Sequence, residues 1–222
     1  MYNMKVLREF INKVPLFDKW SRRRKIGRLK KRYDEWIDMR GELPMPHYGK
    51  QLVVADYGQR FHIPVLIETG TYTGHMVMSM LDRFDEVYSI ELDKVLASQA
   101  KKTFLHHSNV HILQGASEEK LPEILKQMHR PCLLWLDAHY SGGTTAKGDN
   151  ETPILYELDH VFRHPLSSQF ILLIDDARCF TGEDGYPTLE QLADKIKKVF
   201  PDWVFEVKDD IIRAHASINP ST

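Results

Sequence analysis

The chain is poor in cysteine: it has two, Cys132 and Cys179, in 222 residues. Two thiols cannot build a disulfide framework or a four-thiolate zinc site, so a reduced, cytoplasmic protein is the expectation. Long apolar runs are missing as well. The longest are five residues, Cys132–Leu136 and Phe170–Ile174, against the roughly 20 needed to span a bilayer. Arg8, Lys13 and Asp18 interrupt the first twenty residues, so no signal-peptide core is expected there. There is no Walker A loop and no Gly-x-Ser-x-Gly elbow, which argues against a P-loop nucleotidase and a serine hydrolase. No internal repeat and no low-complexity tract occurs.

What is present is ordinary in bulk and uneven in distribution. Apolar residues make up 42% and charged residues 27%, a globular composition. The length suits one large domain, or one domain plus an appendage. A net charge of −1 hides an asymmetry. Residues 1–50 carry 14 Lys and Arg against 6 Asp and Glu, whereas residues 51–222 carry 16 against 25. We therefore divide the chain into a basic helical arm, 1–45, and an α/β domain, 46–222.

In the arm, Val6, Leu7, Phe10, Ile11 and Val14 follow helical spacing, and Pro15 ends the run. Ile26, Leu29, Tyr33 and either Trp36 or Ile37 make a second stripe. Its polar face carries Arg22, Arg23, Arg24, Lys25, Arg28, Lys30, Lys31 and Arg32. The plain reading is a solvated face on helices that pack against the domain. Peripheral contact with an anionic membrane surface, a glycolipid or nucleic acid are the alternatives, with nucleic acid the least favoured. Gly41 to Pro46 reads as a connector.

Beyond residue 60 short apolar runs recur. Val65–Ile67, Val87–Ile90, Val110–Leu113, Cys132–Leu136 and Phe170–Ile174 are the expected strands, with starts 22, 23, 22 and 38 residues apart. The first three gaps each fit one crossover helix, the mark of a parallel sheet. Helical stripes fall between them: Val77, Met80, Leu81 and Phe84; then Ile154, Leu155, Leu158, Val161 and Phe162, started by Thr152 as N-cap and Pro153; then Leu189, Leu192, Ala193, Ile196 and Phe200, opened by a Thr188–Gln191 capping box. Trp203–Val207 and Ile211–Ala216, joined at Lys208-Asp209-Asp210, read as an antiparallel hairpin. The expected fold class is α/β: a Rossmann-like open sheet, mostly parallel, with a C-terminal antiparallel hairpin and helices on both faces.

The first strand runs into Glu68-Thr69-Gly70-Thr71-Tyr72-Thr73-Gly74. A dinucleotide fingerprint would want glycine where Tyr72 and His75 stand, so side chains would meet a pyrophosphate and NAD is disfavoured. Acidic-x-Gly-x-x-x-Gly instead suits a ligand with a small cationic end and no phosphate. Gly70 and Gly74 admit close backbone approach. Glu91 follows Gly70 by 21 residues, at the end of the second strand, where an acid accepts hydrogen bonds from ribose hydroxyls. Gln114-Gly115-Ala116-Ser117 ends the third strand, where an adenine edge would be held.

These residues resemble the class I S-adenosylmethionine-dependent methyltransferases over about residues 60–217, the terminal hairpin included. The resemblance implies S-adenosyl-L-methionine as cofactor, held by Glu68, Gly70, Thr71, Gly74, Glu91, Ser117 and Asp137.

The fourth run ends in Asp137-Ala138-His139, and the fifth in Asp175-Asp176. Both acidic groups should meet at the carboxyl edge of the sheet. Carboxylates so placed repel unless something positive lies between them, and a hard divalent cation is the economical answer. The plain alternative is that Asp175-Asp176 caps a loop. The pattern resembles the metal-dependent catechol-type and macrocin-type O-methyltransferases, which implies Mg²⁺ (or Mn²⁺) at Asp137, Asp175 and Asp176. His139 stands where the macrocin type has a second acid that acts as base, so His139 becomes the candidate base, with Asp137 as its catalytic companion. The loop 140–151 is expected to be a lid that shapes the acceptor pocket. Cys179 is expected to be a buried, inert thiol. The expected function is metal-assisted methyl transfer to a hydroxyl of a small molecule or glycan. A metal-independent methyltransferase, a different reaction on the same scaffold and a non-catalytic binding module are the rivals.

Overall fold

The computed structural model describes residues 19–39, 44–137 and 153–217. The helix expected over Val6–Val14, His139, the 140–151 loop and the Thr152 cap lie outside the described residues. So do the side chains of Arg22, Arg23, Arg24 and Lys25.

Seven strands form one sheet in the order β3-β2-β1-β4-β5-β7-β6. They are β1 (Val65–Thr69), β2 (Glu86–Glu91), β3 (Val110–Gln114), β4 (Cys132–Leu136), β5 (Ile171–Ile174), β6 (Trp203–Lys208) and β7 (Ile211–Ala216). The first five run parallel, and β7 is antiparallel to both β5 and β6. This is the expected Rossmann-like sheet, with strand ends shifted by one or two residues. Asp209 and Asp210 both take positive φ (54° and 61°), the conformation that turns a two-residue hairpin with the right twist.

Helices cover both faces. Val65 and Ile67 of β1, Leu134 and Leu136 of β4, and Leu172 and Ile174 of β5 join one core. Over it lie α5 (Ser117–Leu125), α6 (Ile154–Phe162) and α7 (Leu189–Val199). Leu66, Leu133, Trp135, Ile171 and Leu173 face the other core, under α1 (Lys19–Asp38), α2 (His47–Arg60), α3 (His75–Met80) and α4 (Lys94–Thr103). The central strands are thus buried on both sides, which is why they read as unbroken apolar runs. Each such side chain contributes about 1.5–3 kcal/mol by leaving water.

The caps are local and legible. Thr188 and Gln191 form the expected reciprocal box at α7. Asp93 accepts from the Val95 and Leu96 amides to start α4. Pro153 has helical φ and ψ (−71°, −15°), as a first-turn proline does. The α3 stripe is shorter than expected: the helix stops at Met80, and Phe84 reaches the core from the turn that follows.

Two features of the N-terminal half bear on the site. Tyr33 and Trp36 of α1 are buried in the same core as Leu66 of β1, so the end of the arm packs on the domain; Trp36, not the exposed Ile37, occupies the apolar stripe. Helix α2 had no counterpart in the sequence reading. Its Val53, Val54, Ala55 and Tyr57 are all buried, but so are Gly49, Gln51 and Gly58, which blurs the contrast between an apolar and a polar face. Gly49 lets it pack tightly, since a Cβ there would lie 2.7 Å from both Met45 and Tyr33.

Candidate functional site

The register decides which residues meet. Thr69 pairs with Ile90 on one side and Leu136 on the other, Leu136 pairs with Ile174, and Glu91 pairs with Gln114. Strands β1, β2, β3, β4 and β5 therefore end along one edge. Strand order reverses between β1 and β4, the place where open α/β sheets bind ligands.

The loop after β1 wraps back over β2. Gly70 and Thr71 donate their amides to the Ile90 carbonyl at 2.9 and 3.1 Å. Gly70 has φ +92° and Gly74 φ +72°, both in the region that favours glycine. A Cβ on Gly70 would stand 3.2 Å from Asp137 Oδ2, so the glycine leaves a cradle beside that carboxylate. Thr71 is buried, and its Oγ1 lies 2.6 Å from Ser89 Oγ.

Glu91 is nearly buried and holds the loop in place. Its Oε2 accepts from the Tyr72 amide at 2.6 Å and its Oε1 from the Asp93 amide at 2.9 Å. Further lone pairs remain on both oxygens for other donors. Glu68 is placed differently. Its carboxyl is buried and accepts from Ser89 Oγ at 2.5 Å. Burial pushes it up to about 8, with Asp137 and Glu91 adding in the same direction and the Ser89 bond opposing. Burial thus favours the neutral form of Glu68. Ser117 opens α5, close enough to the buried Glu157 of α6 to offset part of the rise that burial imposes on that carboxyl.

The acidic cluster assembles as expected. Asp137, Asp175 and Asp176 each present an oxygen within 4.8 Å of the others. The Asp137 amide donates to Thr69 Oγ1 at 3.1 Å. The Asp175 amide donates to the Leu136 carbonyl at 2.9 Å, and the Asp176 amide to Asp175 Oδ1 at 2.9 Å. Asp176 sits at φ +54°, a left-handed turn that swings its carboxylate beside its neighbour's.

A cation that the sequence reading missed lies between them. Lys50 of α2 places Nζ 2.5 Å from Asp175 Oδ2 and 3.4 Å from Asp176 Oδ1. Burial alone would lower Lys50, but Asp175, Asp176 and Asp137 together raise it above its ordinary value. Asp175 feels the reverse balance: burial outweighs the attraction of Lys50 and carries it up to about 7. Arg178 adds a second positive charge, 2.8 Å from Asp176 Oδ1 and also paired with Asp210. The repulsion among three carboxylates required such a partner; nothing in the spacing said which basic residue supplies it. One turn before Lys50, His47 lies with its ring 6.0 Å from that of His75. Loss of solvation, then the charges of His75 and Lys50, hold His47 down at about 4.

Three carboxylate oxygens are the hard donors that Mg²⁺ prefers, so the residues fit the expected metal by chemistry. Gly70, with its cradle, and Glu91, the last residue of β2, are the residues that could hold the expected cofactor. Among the described residues no helix is long and apolar enough to cross a membrane.

No protein-family model matches the chain, and no curated protein matches it by sequence. Solved structures match its fold. A methyltransferase from Podospora anserina with S-adenosylhomocysteine bound aligns with a TM-score of 0.54 and 16% identity, over 93% of this chain and 99% of the other. An O-methyltransferase from Bacillus cereus, also with S-adenosylhomocysteine, aligns with a TM-score of 0.53 and 10% identity, over 75% of this chain and 80% of the other. At these identities the likeness is one of fold.

Proposed function

We propose that this chain is an S-adenosylmethionine-dependent methyltransferase acting on a hydroxyl of a small molecule or glycan. One observation carries the reading: the Gly70 loop and Glu91 share a sheet edge with the Asp137–Asp175–Asp176 cluster, and only the missing Cβ of Gly70 separates that loop from Asp137. A nucleoside site and an acceptor site are thereby adjacent. The cofactor-bound methyltransferases of the same fold support it.

In this reading Glu91 accepts hydrogen bonds from the ribose, and Ser117 lies at the adenine end. Gly70, Thr71 and Gly74 shape the loop that admits the tail, and Glu68 supports that loop from below through Ser89. The cofactor supplies an electrophilic sulfonium methyl for in-line attack by the acceptor oxygen. Asp137, Asp175 and Asp176 are the residues that would hold Mg²⁺ or Mn²⁺, which brings Lewis acidity to that oxygen. His139 takes the proton at its ring nitrogen. Orienting the two reactants supplies much of the rate.

The Lys50 contacts favour a second reading on the same residues. Here the ammonium is the cation of the cluster, and transfer needs no metal. Thermal shift with S-adenosylhomocysteine, with and without Mg²⁺, tests both. Stabilisation by the nucleoside supports the cofactor site, and an added Mg²⁺ response favours the first reading. No response to the nucleoside at millimolar concentration sinks the proposal.

A further inference from the structure

Lys50 and a divalent ion would draw on the same two carboxylates. The ammonium is 2.5 Å from Asp175 Oδ2 and leans on Asp176 at 3.4 Å. An Mg²⁺ ligand sits about 2.0–2.1 Å from its ion. Two cations on Asp175, both also directed at Asp176, would be separated by only a few ångströms; Arg178 does share Asp176 Oδ1 with Lys50, but its side chain is 46% exposed and so screened by water. Little water is present to screen Lys50 from the ion: the side chains of Lys50, Asp175 and Asp176 are 14%, 7% and 9% exposed. At such burial the repulsion between the charges is large.

We propose that Lys50 and a divalent cation are mutually exclusive occupants of the Asp175–Asp176 pair. Lys50 is a tethered counter-ion that an incoming metal must displace. The remaining geometry allows this exchange. Asp176 keeps Arg178 as a partner when Lys50 leaves. The lysine stem is four carbons long and flexible, so Nζ can swing away while α2 stays in place. Helix α2 itself is anchored, because Gly49, next to Lys50, is packed against Met45 and Tyr33. The end of the basic arm thereby fixes the position of the lysine that guards the acidic cluster.

The inference rests on the acidic cluster of the proposed function and is tested without turnover. Free Mn²⁺ is followed by electron paramagnetic resonance during titration of the full chain and its variants. Lys50→Met keeps the bulk and removes the charge; it should bind Mn²⁺ about tenfold tighter than wild type, or more. Lys50→Arg keeps the charge and should stay near wild type. Asp175→Asn added to Lys50→Met should abolish the gain, which locates the ion. Equal or weaker Mn²⁺ binding by Lys50→Met overturns the exclusion, and so does the absence of Mn²⁺ binding in every variant. Should Lys50→Met fail to fold, Lys50→Gln carries the same comparison. Binding of S-adenosylhomocysteine is read separately by thermal shift. Its failure beside a positive Mn²⁺ result would remove the methyltransferase reading and leave the lysine–metal exchange standing.

Discussion

Gly70 and Asp137 follow directly on the paired strands β1 and β4, and a Cβ built on the glycine would lie 3.2 Å from the Asp137 Oδ2 and 3.3 Å from its Cβ. That proximity joins the loop proposed for the cofactor to the carboxylates proposed for the metal. Gly70 also holds φ +92°, which a β-branched residue resists. Gly70→Val should therefore abolish S-adenosylhomocysteine binding by titration calorimetry and lower stability by about 1–3 kcal/mol. Retained binding in a folded variant would remove the loop from the site.

Glu91 has two duties, since it anchors two backbone amides and faces the proposed ribose. Glu91→Ala should weaken cofactor binding by roughly 1.5–3 kcal/mol, the range for hydrogen bonds to a charged acceptor. The same variant should lower the melting temperature, because the Tyr72 and Asp93 amides lose their acceptor. An unchanged calorimetric affinity would take Glu91 out of the cofactor site.

Glu68 gives a pH test with a definite sign. Its folded-state value of about 8 lies above the ordinary 4.5, so folding favours the neutral form. The stability that this form contributes is complete below the unfolded value and is lost as pH rises through the folded one. Between these limits the loss approaches about 1.4 kcal/mol per pH unit. Glu68→Gln removes this dependence. Urea melts should show the variant gaining on wild type between about pH 5 and pH 8. Parallel stability curves for the two proteins would contradict a buried neutral acid at this position.

The metal reading makes its own demand. EDTA should stop methyl transfer, and Mg²⁺ or Mn²⁺ should restore it. Asp175→Asn should lose metal and turnover while nucleoside binding survives. His139→Ala should lower the rate by about 100- to 10,000-fold, the usual cost of a lost base, and leave metal affinity nearly unchanged. Full turnover after chelation would favour the reading in which Lys50 and Arg178 neutralise the cluster without a metal.

Trp36 tests how the arm relates to the domain. It is 8% exposed and stacks on Tyr33 in the core that includes β1. Trp36→Ala should cost about 3–5 kcal/mol, the range for a buried aromatic. A chain starting near residue 45 would lose Tyr33 and Trp36 together. It should melt earlier than the full chain, as circular dichroism can show. An unchanged melting temperature would mean that the arm adds no stability and that its charge has a separate purpose.

The sequence by itself determined the sheet and the edge on which the site lies. Parallel strands joined by crossover helices return the chain to the same edge each time, so Glu91, Asp137 and Asp175 had to end up along one edge of the sheet. The runs Cys132–Leu136 and Ile171–Ile174, buried on both faces, marked those strands without any motif. Tertiary structure alone decided the rest. Helix α2 buries polar and small residues such as Gln51, Gly49 and Gly58 beside its apolar ones, which blurred the periodicity that reveals a helix. Lys50 reaches Asp175 across 125 residues of chain, a pairing that depends on how α2 packs and not on any spacing. Glu68 faces Ser89 because the two are register partners on β1 and β2, and that burial favours the neutral form of a formally charged residue. Local sequence specifies which elements form. The charge state and the partners of each carboxylate depend on the solvent and the cations that packing leaves beside it.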